Sequence, residues 1–459
     1  MIEKTTNSTE HAGAENKMGV MPVGKLLVSM SVPMMLSMLV QALYNIVDSI
    51  FVARISEDAL TAVSLAFPMQ TLMVALAGGT GVGVNALLSK SLGGKEFKQA
   101  NDAARNGIFL AAISYLFFLI VGLFLVKPFY IAQTDDAEIL TYGVEYLTIV
   151  CCLSFGFFAQ FIFERLLQST GKTVYTMITQ MTGAIINIIL DPILIFGLFG
   201  FPRMEAAGAA IATVIGQIAA GTLACIFNIT KNHEIDINLK GFRPSKQIIG
   251  VIYKVGVPSI IMQSIGSVMT FCMNQILIAF TSTATAVFGV YFKLQSFIFL
   301  PVFGLNNGMV PILAYNYGAR RKDRMMKTYK LSLVIAISIM LIGSIVFLTI
   351  PDMLFLLFDA SEHMLSMGIP ALRIICLSFP VAAYCIVTGS LFQALGNAVY
   401  SMINSICRQL LVLLPVAYLL AQLGNVNYVW WSFPIAEIGS ATLTTIFLIK
   451  FKKQVINKI

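Results

Sequence analysis

The chain has 459 residues, of which 58% are hydrophobic and only 11% charged, with a formal net charge of +8 and a mean hydropathy of +0.84. Soluble domains carry about a quarter of their residues as Asp, Glu, Lys or Arg, so this composition excludes an ordinary water-soluble protein. Strand-length segments of alternating polarity are also missing, which argues against a membrane β-barrel.

Residues 1–24 are polar and have no apolar core ahead of a cleavage site, so they read as an N-terminal tail and the first apolar run as a retained span. A hydrocarbon core needs about 20 residues of helix. On that measure the sequence predicts spans at 26–52, 59–88, 104–127, 138–167, 174–199, 207–228, 248–279, 284–315, 328–350, 364–391, 399–422 and 428–449. The predicted fold is an all-α polytopic membrane protein of twelve helices. It divides into an N-lobe (25–230), a connector (231–247), a C-lobe (248–450) and a C-terminal tail (451–459). Pro33, Pro68, Pro258, Pro301 and Pro311 fall within or near these helices, where neighbouring groups in a membrane protein satisfy the freed carbonyls.

Loop charges predict the orientation. One set of connections holds Lys90, Lys95, Lys98, Arg105, Lys172, Lys231, Lys240, Arg243, Lys246, Lys254, Arg320, Arg321, Lys322, Arg324, Lys327 and Lys330, and both termini add lysines to it. The opposite set holds Arg54, Lys127 and Arg203 against Glu57, Asp58, Asp135, Asp136, Glu138, Glu205, Asp352, Asp359 and Glu362. The asymmetry predicts cytoplasmic termini. Basic loops facing anionic lipid account for the net charge without nucleic acid.

The chain repeats itself at an offset of 225 residues. Pro33 falls on Pro258, Gly83 on Gly308, Gly93 on Gly318, Gln168 on Gln393, Gly171 on Gly396, Tyr175 on Tyr400 and Met177 on Met402. Each unit has an even number of spans, so the two lie parallel about a pseudo-two-fold along the membrane normal, an arrangement suited to rocking between two openings.

An ionisable group at membrane depth is costly and marks a site or a paired structural element. In the first span Gln41, Asn45 and Asp48 are spaced by four and three, on one helical face with Tyr44 nearby. Asp191 lies nineteen residues beyond Lys172, about 28 Å at helical rise, and Asn187 is one turn earlier. Asp48, Asp191, Asn45 and Asn187 are therefore the candidate coupling-ion site. A carboxyl group out of water binds its proton more tightly, which favours H+ as the ion, with Na+ held by Asp48 and Asp191 as the rival. Asp191 also has a plain structural reading, as a pin at a bend before Pro192.

Glu164 lies about 12 Å from the inner end of the fourth span, where it could draw cations from the cytoplasm or pair with Arg165. Glu145 is a weaker candidate. Gln41, Tyr44, Phe67, Met69, Phe158 and Met181 complete the candidate substrate-binding set, since Met adapts to irregular shapes and aromatic faces attract cations. In the second half the membrane-depth charges are Lys293, Arg373, Arg408 and Glu437, and the positions matching Asp48 and Asp191 are Met273 and Val416.

No enzyme signature is present. His11, His233 and His363 form no ligand set, and Cys151, Cys152, Cys225, Cys272, Cys376, Cys385 and Cys407 show no metal-binding spacing. There is no Walker A loop, so no ATPase chemistry resides in this chain, and the glycine-rich run 78–83 reads as close helix packing.

The segments SVPMMLSMLVQALYNIVDSIFVA, GVGVNALLSKSLGGKEFKQA, ERLLQSTGK, NIILDPILIFG and VPILAYNYGARRKDRM resemble the multidrug and toxic compound extrusion (MATE) family, in its bacterial MepA- and DinF-like branch, over about residues 25–450. The resemblance implies two lobes forming a V and antiport of cationic, often aromatic compounds against H+ or Na+ in a bacterial inner membrane. It places the family's fifth-helix acid on Asp191, the fourth-helix acid of the MepA-like pattern on Glu164, and the first-helix carboxylate of the DinF-like pattern on Asp48. The expected partners are small organic cations and membrane lipid, with no nucleic acid, no cofactor and no ATPase subunit; the chain is expected to work as a monomer. Two rivals stand beside this reading. A flippase of lipid-linked sugar or peptidoglycan precursors from the same superfamily would carry a basic cavity, and a membrane enzyme or scaffold would need clustered surface chemistry.

Overall fold

A computed structural model describes residues 15–358 and 360–458; His11 and Asp359, named above, lie outside the described residues. The described residues are nearly all helical and contain no strand. Among the described residues, eleven helices are long and apolar enough to cross a membrane, and a bent pair taken as one span makes the twelfth. Large apolar side chains such as Val334, Ile342 and Ile345 of the ninth span stand exposed, as lipid-facing positions require.

Several spans predicted as single helices are broken. The second starts as Glu57–Leu65 and resumes as Phe67–Gly93 around Ala66. The fourth comprises Ala137–Cys152 and Phe155–Ser169, bent by 46°. The eleventh, Ala398–Ile406 and Leu414–Ala421, is joined by a π-helical segment, Cys407–Leu413. Hydropathy measures apolarity along the chain but not the direction of the axis, so none of these breaks shows in it. The tenth span is likewise interrupted by a 3-10 turn at Cys376–Ser378.

Helix starts explain the acidic loops. The second, fourth, sixth and tenth spans begin on the same face, with Glu57 and Asp58, Glu138, Glu205 and Glu362 in their first turns. Carboxylates there oppose the positive end of the helix dipole. Ser56, Asp136, Thr281 and Ser361 cap helices on that face through their side-chain oxygens.

The internal repeat is visible in the backbone. Lys95 and Arg320, 225 residues apart, both adopt left-handed conformations (φ 59° and 56°), as do Gly171 and Gly396 (φ 87° and 84°). Each pair ends a helix with the same closing bond: Glu96 N to Ser91 O at 2.8 Å matches Arg321 N to Asn316 O at 2.8 Å.

The lobes meet through glycines. A Cβ on Gly93 would collide with the Tyr315 carbonyl, and one on Gly318 with the Lys90 carbonyl; Tyr315 is Lys90 shifted by the repeat. In the same way Gly79 receives Ile260 while Gly304 receives Met35, and Gly83 and Gly308 pack against Ile252 and Ser31. Removing the Cβ lets two backbones touch, which is how small residues bring membrane helices together. The glycine run at 78–83 is therefore a packing surface.

The core shows which end is closed. One continuous apolar cluster runs from the C-lobe into the basic-face half of the N-lobe, through Leu26, Met30, Val84 and Leu88. The other half of the N-lobe has its own cluster, built on Val52, Met73, Phe118, Phe158 and Ile195. The two lobes thus share a core at the basic face and separate toward the acidic face, giving a V open on the acidic side.

Charges set aside by the sequence reading find partners. Arg408 Nη1 donates to Glu437 Oε1 at 2.6 Å, joining the eleventh and twelfth spans. The Lys293 ammonium lies over the Phe358 ring, 5.8 Å from its centre. The seven cysteines are free thiols, with Cys151, Cys376 and Cys385 buried.

Candidate functional site

The fifth span, Thr173–Phe196, carries a polar stripe at Thr176, Thr179, Gln180, Gly183, Asn187 and Asp191. Steps of three and four residues keep such a stripe on one helix face. It serves two separate sites.

The first lies toward the open end. Asp191 is fully buried and Asn187 nearly so. Asn187 Nδ2 donates to Asp191 Oδ1 at 3.3 Å and to Thr213 Oγ1 at 3.2 Å, tying the fifth span to the sixth. The first span packs along the fifth and runs in the same direction, which puts Asp48 toward the same end as Asp191. Asp48 Oδ1, Asn187 Oδ1 and Asp191 Oδ2 are buried with no hydrogen-bond donor among the described residues. These are buried acceptors with no donor, and a proton or a small cation would satisfy them.

Asn45 does not join them. It is exposed, as is Gln41, and neither bonds to Asp48. A step of three residues turns the helix by about 300°, so Asn45 is rotated by about 60° from Asp48 while Asp48 faces the fifth span. The shared face expected from the spacing is too wide for one site.

The second site surrounds Glu164, which is 4% exposed. Its Oε1 accepts from Gln160 Nε2 at 3.1 Å and Thr179 Oγ1 at 2.9 Å, and its Oε2 from Gln180 Nε2 at 2.8 Å. The expected alternative of a pair with Arg165 is not what forms. Arg165 Nη1 donates instead to Gln168 Oε1 at 2.8 Å and to Asn307 Oδ1 of the C-lobe at 3.1 Å. Adjacent residues on a helix point about 100° apart, which separates the two charges. Thr179 and Asp191 are twelve residues apart, so the sites stand about 18 Å from one another.

Sequence reasoning missed Gln160, Thr179, Gln180 and Thr213. Gln160 stands one turn before Glu164, and the stripe on the fifth span is regular; both signals are present in the sequence. The aromatic and Met candidates divide. Tyr44 is half-buried one turn before Asp48, and Met181 is half-buried on the fifth span. Phe67 is exposed at the start of its helix, and Met69 is half-buried against the outer N-lobe core. Phe158 is 2% exposed and stacks on Phe118 with centroids 5.7 Å apart, so it is part of the N-lobe core. Its expected role follows the burial: Phe158→Ala should cost about 3–5 kcal/mol of stability and leave the relative preference among ligands unchanged, as paired thermal melts and ligand titrations will show. Glu145 lines a shallow crevice on the acidic face with Arg203 and Glu205, which are themselves paired at 3.1 Å.

The N-lobe carries Asp48, Glu164 and Asp191 against Arg165, whereas the C-lobe carries the Arg408–Glu437 pair together with the exposed Lys293 and Arg373, so the acidic excess lies in the N-lobe.

A family model described as MatE matches residues 33–193 and 258–419, two stretches that begin 225 residues apart. The multidrug export protein MepA of Staphylococcus haemolyticus is 27% identical over 431 residues, which is 94% of each chain. An outward-facing multidrug resistance MATE family transporter of the MOP superfamily superposes with a TM-score of 0.91 at 24% identity, over 97% of this chain and 99% of that one. A MOP superfamily transporter from Pyrococcus furiosus, described as having a binding pocket of reverse polarity that suggests a different function, gives 0.87 at 24% identity, over 96% and 99%.

Proposed function

The chain belongs to the MatE family, and we propose that it is a multidrug efflux antiporter that exchanges organic, mainly cationic and aromatic compounds for H+ in a bacterial cytoplasmic membrane, with its basic face and both termini inside. One fold serves several chemistries, so the argument rests on the site. The observation that carries it is the donorless cluster of Asp48, Asn187 and Asp191, set about 18 Å from the hydrogen-bonded Glu164 along a single helix. The cluster takes the driving ion, and Glu164 supplies the negative charge that a cationic drug meets.

Alternating access then follows from linkage. An ion entering the acidic-side cluster removes one of its negative charges, which favours closing the outer half of the V over it. Opening of the basic face exposes the cluster to a compartment where the ion is scarcer. A drug cation bound near Glu164 favours the reverse swing, because closing the outer half over an unpaired carboxylate is costly. Export needs only that the two occupants prefer opposite openings.

Vesicles containing the purified protein are expected to move an aromatic monocation such as ethidium against a pH gradient, and to move it in neither direction when the gradient is collapsed. Glu164→Gln should raise the half-saturating drug concentration about tenfold, the loss of one partly buried charge interaction of about 1–2 kcal/mol. A gradient-independent transfer of a lipid-linked sugar analogue, with no cation flux, would overturn the reading in favour of a flippase. Replacing the pH gradient by a Na+ gradient tests the identity of the ion.

A further inference from the structure

The predicted N-terminal tail contains a folded segment. Asn16 caps the short helix Lys17–Val20, and Met18 within it is fully buried. The segment touches both lobes. On the N-lobe side, Asn16 Nδ2 donates to the Thr170 carbonyl at 3.1 Å and to the Glu234 carboxylate, and Lys17 and Met18 pack on Gly171. On the C-lobe side, Arg321 Nη2 pairs with Glu15 at 2.5 Å, and its Nη1 donates to the Gly19 carbonyl at 2.6 Å. Arg324 Nη2 donates to the carbonyls of Met18 at 3.2 Å and Met21 at 2.7 Å, and Asn316 Nδ2 to that of Met18 at 3.1 Å. A Cβ on Gly19 would press on the side chains of Glu15, Arg321 and Tyr315, so the segment sits closely against them.

These contacts lie at the basic face, beside the crossing of Gly93 with Tyr315 and Gly318 with Lys90. Movement of the lobes apart at that face must break one set of attachments, because the segment is short and is tied on both sides. We propose that residues 15–22 are a strap that latches the basic face shut and so holds the protein open toward the acidic face.

The latch is releasable. Charged donors bonded to main-chain carbonyls are strong hydrogen bonds, but they are few, and water can replace each of them once the strap lifts. Burial pushes the Lys17 ammonium down, with Lys172 adding to the effect, and pushes the Glu234 carboxyl up. Both groups regain hydration on release, which offsets part of the lost bonding. The C-lobe attachments are mostly to backbone carbonyls, so they require the strap's conformation more than its side chains.

Hydrogen–deuterium exchange on the full chain and on two variants tests this without any transported compound, so the result stands apart from the export reading. One variant lacks residues 1–21, and the other is Arg321→Ala with Arg324→Ala. Both are expected to speed exchange in 84–94 and 304–318, the basic-face halves of the second and eighth spans, by about tenfold, as a shift between two states of that size would give. Exchange in 44–53 and 268–278, toward the acidic face, is expected to slow. If the truncated chain fails to fold, the double variant decides alone. Exchange unchanged in both regions of a folded variant would overturn the strap.

Discussion

Asp191→Asn is expected to uncouple the transporter while leaving it folded, and to lower gradient-driven export by about 5–150-fold, the range that a coupling of about 1–3 kcal/mol between two sites supports. The substitution keeps the shape of the side chain, so the bond from Asn187 Nδ2 to the remaining carbonyl oxygen at 3.3 Å survives. It also supplies an NH2 group that can donate to Asn187 Oδ1, now without a partner. A buried carboxylate with an unsatisfied oxygen is destabilising in itself, and active sites are often less stable than their neutral variants. The expected signature is therefore paired: flux falls, whereas the melting temperature holds or rises. Drug binding measured without a gradient should change little, because Glu164 is about 18 Å away along the fifth span. Asp48→Asn should have the same direction and a smaller effect, since Asp48 is only half-buried. Export at the original rate in Asp191→Asn would remove the proposed ion site, and a collapse in stability would mean that the residue is a structural pin at the Pro192 turn.

Gly93→Ala and Gly318→Ala are expected to be as damaging for a different reason. Each glycine is the last residue of its helix, so the preference of a helix interior for Ala adds little at either position. The added methyl group, however, occupies the space taken by the carbonyl of Tyr315 or of Lys90. Closure of the basic face then has to stop short, and the V is held toward the opposite opening. Transport should fall at least about tenfold, and a thiol reagent applied from the basic side should react faster with a cysteine placed at Ser31, which is buried against Gly308 in the closed arrangement. The two substitutions should match each other, because the positions are related by the repeat. Normal transport in either one would show that the crossing opens more easily than its geometry implies.

Much of this could be read from the sequence, and the exceptions share a cause. Asp48 and Asp191 stand out because each is a lone charge in an apolar stretch, Glu164 because it and Arg165 interrupt one, and the glycines at 79, 83, 93, 304, 308 and 318 keep the register of the repeat. Asn187 could be paired with Asp191 because one helical turn is a local relation. Contacts between distant segments left no such mark. Arg165 reaches Asn307 and not its neighbour Glu164, since the direction of a side chain depends on what packs around the helix. Phe158 looks in sequence like any other aromatic residue, and only packing against Phe118 places it in the core. The strap is the clearest case. Its helix is four residues long, too short for periodicity, and its main attachments are the carbonyls of Met18, Gly19 and Met21, which every sequence supplies alike.

The helix starts on the acidic face have an effect beyond capping. Even-numbered spans turn their N-terminal ends toward the wide mouth of the V, where each contributes about half a positive charge. Left bare, that ring would repel an organic cation on its way out and slow its departure. Glu57, Asp58, Glu138, Glu205 and Glu362 sit in four of those first turns and oppose the field where it originates. Five full charges against about half a charge per helix start more than offset that field, so the rim keeps a net negative charge and does not drive a departing cation back into the cleft.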